Sequence, residues 1–556
     1  MNENVQETEV AMKQLVRQKN QMVKGVFWLS ASNLISRFLG AIYVIPWYAW
    51  LQPRAEEGNS LFSKGYEIYA WLLLISTSGI PALIAKKTAQ YNSLNEFESS
   101  QRLFRDSLKT MAALGGIFAA LMFFGAPWLV SLIDGQEELI TVMRSLAPAI
   151  FFFPMMSVLR GYFQGNNNMM PYALSQIVEQ IMRVVWMLLA VYIIMKVQHG
   201  SFVNAVIQST LAAFIGVLGS LVVLLYFFRE QQVKLRKKLR RSRKLVVRSK
   251  NLDMSSSFFS IIKEAIPFII SGSGIQLFRL IDLGTFNRMM SVATNQSKGN
   301  LERLYTLFSA NPSKLVMIII AFSTAISFTG LPLITESHTL KNFRELSRLV
   351  GNNIQLFLFV MLPAVFGMLI LAHPLNTCFY GESNYLGISL LSWSILQALL
   401  LAGIVLTTGV LQGLSLNSKA IRYLVLGMFV KIILQFPMIV LFKVYGPLVS
   451  TTIGMGLVAY LNFRKICLET RIDARKLVKA CRPLFFITIV MVISTLLTRS
   501  ALYIFLNPDR RISSFMLLLL ISFVGGSVYL FVAFKFRIAD RLLGKRIERF
   551  KRWLPF

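Results

Sequence analysis

Long apolar runs, each able to cross a hydrocarbon core and each closed by a polar or basic loop, recur along almost the whole chain. They predict helices at 24–51, 61–85, 108–132, 140–161, 171–195 and 202–228 in a first half, and at 259–282, 308–335, 350–372, 386–411, 420–442 and 446–463 in a second. A last pair follows at 483–506 and 513–534. The pattern is that of an all-α polytopic membrane protein of fourteen helices, six plus six plus two. The polar stretches divide it into a segment 1–23, a six-helix bundle 24–228, a basic linker 229–258, a second bundle 259–463, a basic loop 464–482, the pair within 483–534 and a basic tail 535–556.

The two halves repeat a pattern. Arg160 to Arg183, RGYFQGNNNMMPYALSQIVEQIMR, is a Gly, Asn and Pro-rich turn that enters an apolar helix; Leu411 to Lys431, LQGLSLNSKAIRYLVLGMFVK, does the same. With Gln164-Gly165 laid on Gln412-Gly413, Arg183 falls on Lys431 without a gap, and Gly427 stands opposite Glu179. Ser78-Gly79-Ile80-Pro81 and Thr329-Gly330-Leu331-Pro332 close two further apolar segments at a similar separation. An even number of helices in each half makes this a parallel repeat. Gly79, Pro81, Gly330 and Pro332 are candidate hinges, or else packing kinks or helix ends.

Composition agrees: 55% of the 556 residues are hydrophobic, only 15% are charged and the mean hydropathy is +0.58. A net charge of +32 would fit a nucleic-acid binder if it were gathered on one domain. Instead the basic residues fall in alternate loops, with roughly forty of the 58 Lys and Arg on one side and about a dozen on the other. This places both termini in the cytoplasm and argues against nucleic acid as a partner. The segment 1–23 is polar, and the run after it is too long for a signal-peptide core, so the first helix is expected to stay as a span. The run KLRKKLRRSRKLVVRSK, Lys234 to Lys250, reads either as a docking site for anionic membrane lipids or as an orientation signal and solvated linker. Cys378, Cys467 and Cys481 predict no disulfide.

Charges within the spans carry the functional signal. Arg37, Arg183, Arg279 and Lys431 lie inside predicted helices. Counting roughly 1.5 Å per residue from Pro171, Glu179 sits about 12 Å and Arg183 about 18 Å into a core about 30 Å thick. Glu179 and Arg183 are four residues apart and can pair, and Asp282 lies three beyond Arg279. Asn33 precedes Arg37 by one turn on the same face. One reading is structural: Arg183 pairs with Glu179, Arg279 with Asp282, and the other two bond to backbone or snorkel outward. In the other, Arg37, Arg183 and Lys431 face a common cavity with Glu179, which leaves about two positive charges uncompensated. That excess, with the fork geometry of arginine, suits a phosphate-bearing anion such as a pyrophosphate.

Catalytic chemistry leaves little trace. His199, His338 and His373 show no metal-ligand spacing, and there is no Walker A sequence. No cofactor or metal is expected. A membrane-embedded glycosyltransferase stays open as an alternative.

The segment Ser32 to Gly40, SNLISRFLG, the turn RGYFQGNNNMMP running into EQIMR, and the six-plus-six-plus-two plan together resemble flippases of the multidrug, oligosaccharidyl-lipid and polysaccharide (MOP) exporter superfamily. Within it the chain is most similar to the Gram-positive lipid II flippases of the MurJ type and related polysaccharide-export and spore-cortex proteins. The resemblance implies a transporter rather than an enzyme, in the bacterial cytoplasmic membrane. It implies MATE-like, V-shaped bundles around a cationic cavity that alternates between inward and outward access, with the last two helices forming a groove for a polyprenyl tail. The implied substrate is an undecaprenyl-pyrophosphate-linked saccharide, most simply lipid II for peptidoglycan. Cell-wall synthesis machinery is the implied partner, and the membrane potential, sodium or protons are candidate drives. Arg37 matches the arginine of the family's first helix, whereas Ala41-Ile42-Tyr43-Val44 lacks the second base often found there. Capsule, teichoic or spore-related units are alternative cargo. A multidrug antiporter fits less well, because cationic drugs favour acidic cavities.

Overall fold

The computed structural model describes residues 28, 31–77, 79–93, 96–133, 135–166, 168–242, 258–381 and 384–538. The expected segment 1–23, the linker stretch 243–257 and the tail from 539 lie outside these residues. Among the described residues every regular element is a helix, and eleven helical segments are long and apolar enough to cross a membrane, against the fourteen expected. One of the eleven, Asn417–Thr470, joins two expected spans through the 3-10 turn Lys443–Tyr445. The helix Ala55–Thr77 is not among them and carries Glu56, Glu57, Lys64 and Glu67 along its length. The chain is thus an all-α, multi-pass membrane protein.

Two compact units divide it: residues 1–40 with 61–276, and 41–60 with 277–556. The second unit therefore takes in Val44–Leu51, the turn after it and the first residues of Ala55–Thr77, and the hydrogen bonds of this segment explain why. Ser60 Oγ donates to Glu302 Oε2 at 2.5 Å, and Asn287 Nδ2 donates to Glu302 Oε1 at 3.1 Å. Asn59 Nδ2 donates to Asn311 Oδ1 at 2.6 Å, while Lys314 Nζ donates to Asn59 Oδ1 at 2.5 Å and lies 4.9 Å from the Trp47 ring. Arg303 pairs with Glu56 at 2.8 Å, and Tyr48 meets Tyr380 edge-on at 5.3 Å. These partners also account for a departure from the sequence pattern, which leaves the polar stretch after Asp282 as a loop. The helix Phe258–Thr294 runs on past it, and Lys298–Tyr305 leads through a π turn into Asn311–Thr339. Polar side chains that find partners need not face water.

Within each unit the repeat appears as a packing rule. In the first, Glu138–Gly165 lies along Ile80–Ser93, and a Cβ at Gly165 would fall 2.6 Å from Thr88 Cβ. In the second, Tyr385–Gly413 lies along Asn311–Thr339, and a Cβ at Gly413 would fall 3.0 Å from Ile334 Cγ2. The following helix pairs match as well. Gly216, on Phe202–Ser242, rests 2.6 Å (from its would-be Cβ) from the Glu179 carbonyl oxygen and 3.3 Å from Arg183 Cβ. Gly454, on Gly446–Thr470, rests by the same measure 2.7 Å from the Gly427 carbonyl and 3.3 Å from Lys431 Cβ. The sequence alignment of Glu179 with Gly427 and Arg183 with Lys431 is thus an alignment of helix contacts.

The Gly-x-Pro elements differ between units. Gly79 has φ +78 and separates Ala55–Thr77 from Ile80–Ser93, whereas Asn311–Thr339 passes through Gly330 and Pro332 unbroken. Gly79 and Pro81 thus stand at a helix junction, and Gly330 stands in a continuous helix against Asn353.

Gly216→Leu and Gly454→Leu should each destabilise the protein by about 1–3 kcal/mol through overpacking, seen as earlier thermal unfolding in detergent. Gly526→Leu, where a Cβ meets no atom within 4 Å, is the control expected to leave the midpoint unchanged.

Candidate functional site

The helix Met170–Tyr192 opens with Pro171 at its first turn, where a missing N–H costs nothing, and carries Ser175, Gln176, Glu179 and Arg183 inward. Glu179, 8% exposed, lies between two arginines. Arg183 Nη2 donates to Glu179 Oε1 at 3.0 Å, as the four-residue spacing predicts, and Arg160 Nη2 donates to Glu179 Oε2 at 2.8 Å. Arg160 is further held by Ser175 Oγ at 3.0 Å and Ser220 Oγ at 3.1 Å, with the Tyr172 ring 5.2 Å from its guanidinium carbon. Arg183 Nη1 donates to Tyr66 Oη at 2.9 Å. Two cations thus flank one buried anion.

The first helix runs alongside. Ser32 Oγ donates to Gln176 Oε1 at 3.1 Å, Gln176 Nε2 donates to Asn33 Oδ1 at 2.7 Å, and Ser36 Oγ reaches the Gln176 carbonyl at 3.4 Å. One turn on, a Cβ at Gly40 would meet Gln180 Nε2 at 3.2 Å. Half-buried Arg37 falls within this stripe, between Asn33 and Gly40. The first unit therefore brings Asn33, Glu179 and Arg183 onto helices in direct contact and sets Arg37 on the same pair.

Lys431 behaves differently. Its side chain is wholly enclosed in the second unit, and Nζ donates to Asp282 Oδ1 at 2.7 Å and to Thr451 Oγ1. The Phe278 ring lies 5.8 Å away. Gln435 Nε2 donates to the same Asp282 oxygen at 2.9 Å and its own Oε1 accepts from Ser450 at 2.6 Å. Asp282 thus binds Lys431 across 149 residues of sequence, and Arg279, one turn away, also acts on its charge. Arg279 is half-buried on the same helix. Where the first unit supplies its acid from within the helix at Glu179, the second has Gly427 there and takes its acid from Asp282.

Several intramembrane polar residues escape sequence reasoning. Arg160 sits at the edge of the predicted span 140–161, but the helix runs to Gly165 and places it a full turn inside. Lys64 and Glu67, 2% and 8% exposed, interrupt an apolar run three residues apart, and Glu67 accepts a hydrogen bond from Gln276. That spacing of opposite charges was the available signal.

Comparison with known proteins adds the following. Residues 22–324 match the family described as "Polysaccharide biosynthesis protein". The chain is 30% identical over 545 residues to "Lipid II flippase MurJ" of Bacillus subtilis (strain 168), spanning 96% of this chain and 98% of that one. Among solved structures, "Lipid II flippase MurJ, inward closed conformation" superposes with a TM-score of 0.63 at 14% identity, covering 93% of this chain and 99% of that chain. An inward-facing multidrug resistance MATE family transporter of the MOP superfamily gives 0.58 at 13% identity, over 80% and 100%. At these identities the structures speak for the fold.

The two ion clusters give a direct test. Asp282→Asn should leave a buried ammonium without a counter-charge and cost about 3–5 kcal/mol, with Glu179→Gln acting in the same direction. Asp282→Leu combined with Lys431→Met removes both charges, so its thermal midpoint should lie above that of Asp282→Asn. A double variant no more stable than the single one would mean that the pair is not what holds these helices.

Proposed function

Because the chain belongs to the polysaccharide biosynthesis protein family, as a MurJ-like transporter of the MOP superfamily rather than an enzyme, we propose that it is a flippase for an undecaprenyl-pyrophosphate-linked saccharide, namely lipid II. Likeness to a lipid II flippase along 96% of the chain supports the cargo. The observation that carries the chemistry is the Arg160–Glu179–Arg183 cluster, in which two arginines are gathered on one buried carboxylate between membrane-spanning helices.

In this reading the pyrophosphate engages Arg37 and Arg183 of the first unit from the cytoplasmic leaflet. Arginine grips two phosphate oxygens at once, and a site that is already ordered loses less entropy on binding. Glu179 and Tyr66 hold the Arg183 guanidinium in place. Asn33 and Gln176 fix the pitch of the first helix so that Arg37 keeps its depth. Lys431, bound to Asp282, stabilises the second unit. The saccharide follows its pyrophosphate while the polyprenyl tail stays in lipid, and alternating access delivers the headgroup to the outer leaflet. Each elementary charge moved through the membrane potential contributes about 2.3 kcal/mol per 100 mV, a sufficient bias for the return step. Both termini lie in the cytoplasm in this orientation.

Complementation tests the cargo. In cells depleted of their own lipid II flippase, the parent should restore growth, and Arg37→Ala, expressed to the same level, should not. A well-expressed parent that fails to rescue would reassign the cargo to another lipid-linked saccharide, and rescue by Arg37→Ala would remove that residue from the site.

A further inference from the structure

Away from the intramembrane charges, the second unit contains a cavity of about 270 Å³ at one end of its C-terminal helix pair. Gln355 of Phe343–Ile370, Leu484, Phe486 and Ile487 of Ala474–Phe505, and Phe536 and Arg537 just past Arg511–Lys535 contribute to its wall. Leu484 and Ile487 are enclosed in a continuous apolar core, so the inner wall is solid. Phe486 and Phe536 meet edge to face, 6.1 Å between centroids, and are 55% and 58% exposed, so the outer wall borders the bilayer.

The volume would hold roughly nine waters, but a water needs two to four polar partners, and this lining offers few. Left empty, the wall would forfeit dispersion contacts on one side. A hydrocarbon chain satisfies both conditions. The rim adds a second chemistry. The helix Arg511–Lys535 ends as Arg537 N donates to the Phe534 carbonyl at 2.9 Å, and a φ of +52 at Arg537 turns the chain, with Arg537 lining the cavity. Exposed Lys479 immediately precedes Ala480, which lines the cavity from the neighbouring helix, and Lys476 lies one turn earlier on that face. An apolar interior under a basic rim matches a phosphate with a hydrocarbon chain attached.

We infer that this cavity binds one acidic glycerophospholipid of the surrounding membrane, its acyl chain lying against Pro483, Phe486 and Phe536 and its phosphate held by Arg537 and Lys479. The site is separate from the translocated cargo and does not depend on which saccharide that is. A resident lipid would seal the Phe343–Ile370 helix to the C-terminal pair.

Native mass spectrometry of the intact, detergent-purified protein tests this, after exchange with equal amounts of phosphatidylglycerol and phosphatidylcholine. Two basic residues beside an anionic headgroup should favour retained phosphatidylglycerol by roughly tenfold or more. Arg537→Gln with Lys479→Gln, both exposed positions, should bring the ratio near unity. Ala480→Phe should fill the cavity and reduce retention of either lipid. Equal retention by the parent, or a preference that survives the paired Gln changes, would overturn the inference. Stoichiometric displacement of phosphatidylglycerol by undecaprenyl phosphate would also overturn it, by assigning the cavity to a polyprenyl chain.

Discussion

A charged side chain in a hydrocarbon core costs roughly 2.5–3.5 kcal/mol on insertion scales unless something nearby compensates it. Each unit meets that cost with its own acid, and much of its internal arrangement follows. In the first, Glu179 neutralises one of two arginines, and the hydroxyls of Ser175, Ser220 and Tyr66 take up further donors. In the second, Asp282 neutralises Lys431, and Thr451, Gln435 and Ser450 complete the enclosure. For the helices to come close enough, each needs a glycine at the crossing: Gly216 beside Arg183, Gly454 beside Lys431. The two units thus draw the acid from different places, Glu179 from the same helix as Arg183 and Asp282 from a helix packed against Lys431.

The repeat was legible because it is written in residues with no freedom to vary at a helix crossing. Aligning Gln164-Gly165 with Gln412-Gly413 and Arg183 with Lys431 anticipated helix contacts that recur in each unit. The Glu179–Arg183 pair was legible too, since a spacing of four on one helix is a local fact. Arg160 was not, because its place inside the membrane depends on where a helix ends, and helix ends are the least determined feature of an apolar run. Asp282 shows the other limit. Its sequence neighbour Arg279 acts on it electrostatically, and the tertiary fold adds Lys431 at 2.7 Å, which no local spacing foretells. Local spacing states which pairs can form, and packing decides which do.

Polarity misled in one more place. The stretch after Asp282 has the composition of a loop, but its Asn287, Glu302, Arg303 and Asn311 all engage partners, several of them at the start of the helix Ala55–Thr77. Polar residues that bond to one another across helices extend a helix beyond its apolar run. The Gly-x-Pro elements carry a similar lesson, since the same motif breaks the helix at Gly79 and leaves it whole at Gly330.

In the proposed function an arginine-bearing intramembrane cluster moves a lipid-linked pyrophosphate across the bilayer. The most direct measurement is transfer of lipid II between leaflets in proteoliposomes of the purified protein, following exposure of the headgroup on the trans side. The account predicts transfer by the parent and its loss when Arg37 and Arg183 are both replaced by Ala, in protein that remains folded. Undiminished transfer by that double variant would contradict it.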